Sequence, residues 1–176
     1  MPYILGLIGL VTAAYFLVIR ARNAAEMTNE LAGVASDVMA AARRFGFRRR
    51  KNLHPVESID DPNLAMGGLG VAFMQIGGSP TEQQKNGFLV SLQSRLGVTV
   101  QEAEELDVLG QWFVNECNGP SQAIPRLAKR LYKLSGPEHL EPMLGIVTDT
   151  VAAGSGSLTT HQQEALEDVK RAFHVR

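Results

Sequence analysis

Cys117 is the only cysteine in 176 residues, so an intrachain disulfide and any metal knuckle built on cysteine pairs are excluded. A lone thiol near a helix end reads as a buried structural residue and suits a reducing compartment. Aromatic side chains make up only 6 % of the chain, and Trp112-Phe113 reads as core, not as a stacking platform. There is no His-Glu-x-x-His, no nucleophile elbow and no dinucleotide fingerprint. Gly67, Gly68 and Gly70 lack the Lys-Ser/Thr ending and the preceding strand of a phosphate loop. No stretch alternates apolar and polar residues long enough to argue for a strand. These absences point away from an enzyme, and no cofactor is expected.

The longest absence is of charge. From Tyr3 to Ile19 no side chain is ionisable at neutral pH, and as a helix the run spans roughly 26 Å, close to the hydrocarbon thickness of a bilayer. No other stretch is apolar enough to bury such a helix on every side. It reads as a membrane anchor over residues 1–20. A cleaved secretory signal would start with basic residues and end at small ones, whereas here Arg20 and Arg22 follow the apolar run directly. With Arg43, Arg44, Arg48, Arg49, Arg50 and Lys51 beyond them, the positive-inside rule sets the N-terminus outside and the remainder in the cytoplasm of a bacterial inner membrane.

The formal net charge of −1 hides a polarity. Residues 1–53 hold eight Lys/Arg against three Asp/Glu, and residues 54–176 hold nine against fifteen. Basic residues beside an apolar run fit anionic lipid headgroups, so Arg20, Arg22, Arg48, Arg49, Arg50 and Lys51 are expected to contact the bilayer. The acidic remainder would repel nucleic acid, and no nucleic-acid partner is expected.

Residues 21–46 read as one juxtamembrane helix. Met27, Leu31, Val34, Val38, Ala41 and Phe45 follow the 4-3-4-3-4 rhythm of a coiled-coil seam, which predicts either a parallel homodimer or a helix lying on lipid or on its own domain. Gly46 ends it, and residues 47–60 read as a basic, irregular connector. Within that connector His54-Pro55 begins like the His-Pro-Asp of J-domain co-chaperones, but the third residue is Val56, which lacks the carboxylate.

From residue 61 the chain is punctuated by helix starts. Asp61-Pro62 sets a capping acid before a proline at the first helical position. Ser79 to Glu82, Thr99 to Glu102, Ser135 to Glu138 and Thr159 to Gln162 each match the capping box. Helices are predicted at about 62–76, 80–96, 100–117, 121–134, 137–152 and 160–174, an all-α domain over 61–176. Gly67, Gly68 and Gly70 inside the first of these predict close approach by another helix. The acids Glu102, Glu104, Glu105 and Asp107 sit where a helix dipole favours them. His139-Glu141 and His161-Glu164 read as surface pairs; a hydrolytic site built from the acidic helix and His139 is the weakest reading.

Two segments echo each other. Leu69-Gly70-Val71, Gly77-Gly78, Thr81 and then Leu89, Leu92 and Leu96 are matched by Leu144-Gly145-Ile146, Gly154/Gly156, Thr159 and then Leu166, Val169 and Phe173. The echo predicts two pseudo-repeated helical hairpins. Over roughly residues 60–175 the chain resembles the TerB-like family, named for tellurite resistance, whose all-α domain repeats an Ala-Asp-Gly turn before a helix carrying a Glu. The resemblance implies a compact helical domain tied to bacterial membranes and stress responses, and in the family a divalent-cation site on acidic residues including the turn aspartate. Here the turns read Ile76-Gly77-Gly78 and Ala152-Ala153-Gly154, without that aspartate. Glu82, Asp149 and Glu164 are the residual candidates, and a lost or weakened ion site is expected. The expectation is a membrane-anchored binding or scaffold module, accessory to a larger membrane protein complex; the alternative is a divalent-ion-responsive stress protein.

Overall fold

A computed structural model describes residues 36–154 and 156–174. The chain divides into two compact units, Met1–Asp37 and Val38–Arg176. The first lies almost wholly outside the described residues, and with it the apolar run, Arg20, Arg22, Met27, Leu31 and Val34. Among the described residues no helix is long and apolar enough to cross a membrane.

All regular structure in the second unit is helical among the described residues. Helix α1 runs to residue 44. It is followed by α2 (Pro62–Ile76), α3 (Glu82–Leu96), α4 (Val100–Glu116), α5 (Pro120–Ser135), α6 (Leu140–Ala153) and α7 (Thr160–Ala172), with 3-10 turns at Pro55–Ser58 and Gly136–His139.

The starts follow from local chemistry. The Asp61 carboxylate accepts from the Asn63 N–H at 2.9 Å ahead of Pro62. Thr81, Thr99 and Thr159 each close a reciprocal box, with Gln84, Glu102 and Gln162 respectively. Two expectations are corrected. The box predicted from Ser79 to Glu82 forms two residues later, on Thr81 and Gln84, which leaves Glu82 exposed in the first turn and paired with Lys85 at 3.1 Å. The box predicted from Ser135 does not form. Gly136 turns the chain out of α5 at φ +61°, Pro137 opens a 3-10 turn, and the Ser135 hydroxyl instead donates back to Leu131 O at 3.1 Å.

Helix α2 is the axis of the domain: every residue from Leu64 to Met74 is buried. Its glycines let three neighbours approach. A Cβ on Gly67 would lie 3.1 Å from the Leu106 carbonyl oxygen of α4, one on Gly68 3.1 Å from the Leu127 side chain of α5, and one on Gly70 2.2 Å from the Phe88 ring of α3. Phe88, fully buried against this gap, contributes on the order of 2–3 kcal/mol through removal of its ring from water.

The echoing segments map onto α2–α3 and α6–α7, but neither closes on itself as a hairpin. Helix α2 packs on α4 and α5, α3 packs chiefly on α6, and α7 packs on α5 and α2. The reason lies at the turns. Gly77, the C-cap of α2, leaves room for the Gln162 side chain at the start of α7, and Gly154, the C-cap of α6, leaves room for Gln84 at the start of α3. Gln162 Nε2 also donates to Phe73 O of α2 at 3.2 Å. Each half therefore seats its second helix on the end of the other half's first.

The compact unit that contains residues 61–176 begins at Val38. Ala41 is buried, and Val38, Ala42, Phe45 and Phe47 pack against the core. Residues 47–60, expected to be a basic, irregular connector, hold no regular structure beyond the 3-10 turn Pro55–Ser58, yet they pack on the domain as a strap, because apolar residues are set between the basic ones. Phe47 meets Trp112 and Phe113 edge-on at 5.7 and 5.3 Å between ring centroids. Val56 and Ile59 are fully buried, and the Arg50 N–H donates to Ser58 Oγ at 3.1 Å.

Candidate functional site

The acidic candidates do not converge. Glu82 pairs with Lys85, and Glu164 stands 3.5 Å from His161 on its own helix. Asp149 of α6 is held by α3: its carboxylate accepts from Arg95 Nε at 2.7 Å, from Arg95 Nη2 at 3.1 Å and from Ser91 Oγ at 2.7 Å. The Arg95 guanidinium lies over Gly145, where a Cβ would stand 2.0 Å away. That hydrogen bond from Arg95, followed by the one from Ser91, holds the Asp149 carboxyl below the usual range. Three of the roughly four acceptor sites of that carboxylate are therefore taken up by α3. Among the described residues no group of three or more His, Cys, Asp or Glu is placed to hold a metal.

The acidic run on α4 is likewise accounted for locally. Glu102 accepts from the Thr99 N–H at 2.8 Å, and the Thr99 backbone and hydroxyl lower its pKa. Glu105 faces Arg44 of α1, with Nε 3.0 Å from the carboxylate, an ion pair without hydrogen-bond alignment. Burial pushes the Asp107 carboxyl up, and Gln111 partly opposes this with a 3.0 Å hydrogen bond. His139 ends the 3-10 turn between α5 and α6. Cys117 caps the C-terminus of α4 and is buried, with its thiol pushed up by burial, so it is a poor nucleophile. His54-Pro55 is occupied in capping: Nδ1 accepts from the Val56 N–H at 3.3 Å, which leaves the proton on Nε2, the atom 3.1 Å from Glu116 O.

The seam residues divide. Met27, Leu31 and Val34 lie outside the described residues, whereas Val38, Ala41 and Phe45 pack into their own domain. Beside them Met39 is exposed and lines a shallow depression with Val38, Phe47 and Trp112.

Cations, unlike acids, do assemble. Helix α5 buries Ala123, Ile124, Leu127, Ala128 and Leu131, so its opposite face carries Arg126, Lys129, Arg130 and Lys133 at helical spacing. Arg130 donates from Nε to Ile59 O at 2.6 Å and reaches Asp60 at 3.1 Å, while Arg50 of the strap makes two hydrogen bonds to the same Asp60 at 2.7 and 3.0 Å. Asp60 thus joins the strap to α5. The result is a depression of about 300 Å³ lined by Arg50, Arg126, Lys129, Arg130 and Lys133, with Glu57 and Leu53. Arg126 touches Glu57 only at 3.9 Å, and among the described residues Lys129 and Lys133 have no ion-pair partner. Arg48, Arg49 and Lys51 of the strap are also exposed, with Arg49 3.9 Å from Glu116.

Charge density along the chain marks Arg48, Arg49, Arg50 and Lys51, of which Arg50 lines the depression, but it does not mark the α5 cations. The signal was present: Arg126, Lys129, Arg130 and Lys133 stand at i, i+3, i+4 and i+7. No family model matches the chain, and neither a curated protein nor a solved structure gives a match.

Proposed function

We propose that this chain is a single-pass protein of a bacterial inner membrane that presents an all-α domain on the cytoplasmic side as a binding or scaffold module, accessory to a larger membrane protein complex. The observation that carries the reading is the segregation of charge. Arg50 of the strap and four cations of α5 crowd one face of a domain in which residues 54–176 hold fifteen acids against nine bases. The apolar run Tyr3–Ile19, followed by Arg20 and Arg22, supplies the sequence argument for a bilayer. The two helix–turn–helix halves with their reciprocal Gln–Gly contacts support a duplicated all-α domain, and the TerB-like likeness rests on the sequence alone. Asp149, already held by Arg95 and Ser91, supports a scaffold over an ion-responsive role.

The test is extraction and topology. Expressed in bacteria, the full chain should stay with membranes at alkaline pH and a chain starting at residue 21 should not. Impermeant labels applied from outside should miss the domain. Full-chain recovery of a defined membrane partner that the shortened chain loses supports the accessory role; a soluble full chain, or a domain labelled from outside, overturns the proposal.

A further inference from the structure

We propose that the outer face of α5, with Lys129 and Lys133 as its free cations and Arg126 loosely held beside them, docks the domain onto the phosphates of anionic phospholipid headgroups. This makes a second bilayer contact, separate from the apolar run. The inference rests on the anchored reading only for the presence of a bilayer; its chemistry stands on the face itself.

The cations there have distinct roles. Arg50 and Arg130 are committed to Asp60 and Ile59 O and build the floor of the depression. Lys129 and Lys133 are exposed and unpaired among the described residues, and Arg126 is held only loosely by Glu57. Lysine ammonium groups on flexible stems are point-charge donors that suit a phosphate whose position varies, as in a fluid headgroup layer. The acids facing them are few. Glu57 and Asp60 border the depression, and Asp168 on α7 is neutralised by Arg171 at 2.9 Å.

The same lysines form one wall of a second depression, of about 420 Å³, whose surface is largely apolar and includes Pro125, Tyr132 and Ala172. The Tyr132 ring is fixed edge-on to Phe173 and His174, at 5.5 and 5.1 Å between centroids. Lysines beside a partly buried tyrosine and an apolar hollow match the layered chemistry of a membrane interface, where phosphates overlie glycerol and acyl chains. A nucleic acid is a poorer fit. Four of the nine bases after residue 53 are on this one face, so a long polyanion would meet acids wherever it bent around the domain, whereas a plane of lipid touches one side only.

The experiment uses the full chain reconstituted in vesicles, with lysine acetylation read residue by residue by mass spectrometry. Lys85 and Lys170, each paired on its own helix, serve as internal references. In vesicles with roughly a third phosphatidylglycerol, Lys129 and Lys133 should react at least about fivefold more slowly than in pure phosphatidylcholine, the factor expected for a cation held at an anionic surface. About 0.5 M NaCl should abolish the difference. In K129E the protection of Lys133 should fall by a similar factor while the circular dichroism of the domain is retained. Equal reactivity in the two lipids overturns the proposal. So does equal protection by inorganic phosphate in neutral vesicles, which would mark a free-phosphate site, or by short duplex DNA, which would mark a general polyanion surface. Flotation separates this from the anchored reading: a chain that floats with neutral vesicles but shows no lipid-dependent protection loses the α5 face and keeps the anchor. A chain that floats only with anionic vesicles keeps the face and loses the anchor.

Discussion

Gly110→Ala opposes two terms of known sign. Alanine is preferred over glycine inside a helix by about 1 kcal/mol, so propensity alone stabilises. Against this, a Cβ at position 110 would lie 2.7 Å from Val71 Cγ2, 3.0 Å from Gly67 O and 3.2 Å from Gly67 C. The last two are backbone atoms of α2, with no rotamer to yield, so α2 and α4 must part. Overpacking of this kind costs about 1–3 kcal/mol, and rigid neighbours place it in the upper part of that range. The net expectation is a loss of about 1–2 kcal/mol and a fall in Tm of about 3–8 °C for a unit of this size. Gly145→Ala is the control. The atoms its Cβ would strike belong to the end of the Arg95 side chain, which can swing into solvent. Its cost is an exposed ion pair offset by the propensity gain, and Tm should stay within about 2 °C. Thermal and urea unfolding of residues 36–176, followed by circular dichroism, measures both. A stabilised G110A, or two variants that move together, would refute the close crossing of α2 and α4.

Gln162→Ala should cost about 1–3 kcal/mol in urea unfolding, because it strips a buried partner from Phe73 O; Gln84→Ala, at the less buried junction, should cost less. Thr159→Ala should lose about 1 kcal/mol in the same assay through its helix cap alone. Asp149 has a folded pKa below its unfolded one, so its contribution is present above about pH 3.9 and is lost as pH falls through the lower folded value. In D149N the acid limb of the stability–pH curve should accordingly be shallower. Phe47→Ala should free the strap from Trp112 and red-shift the single tryptophan's fluorescence, with amide exchange rising across residues 47–59.

Local chemistry was legible in the sequence and partner choice was not. Thr99 and Thr159 start helices where spacing placed them, since a hydroxyl three residues before a Glu or Gln is a complete device. Gly67 and Gly70 announced close approach, but nothing in a glycine says whether α3, α4 or α5 fills the gap. The packing of the strap is not legible for a related reason. Its four consecutive cations dominate the local pattern, while Phe47, Val56 and Ile59 are too irregularly spaced to declare a face, and only the tertiary structure reveals the cavities they enter. At the basic site the strap cations stand out by charge density along the chain, and Arg50 among them lines the α5 depression. The α5 half was missed because its cations alternate with core residues, and only a helical projection separates them.

The two glutamines explain why neither echoing half can stand as an isolated hairpin. Gln84 and Gln162 each hold their own cap, accepting from the Thr81 and Thr159 N–H groups at 2.9 and 3.0 Å. Their side chains also cover Gly154 and Gly77 of the opposite half. The start of one helix is therefore completed by the end of another from the far side of the sequence. Helix α2, buried from Leu64 to Met74, could not be covered by α3 alone in any case, since α4 and α5 occupy most of its surface. Burial on all sides demands neighbours from both halves, and the glycine C-caps are the places where those neighbours fit. Cooperative folding of the whole unit follows from that demand, and it is what would let the cations of the strap and of α5 act as one rigid face.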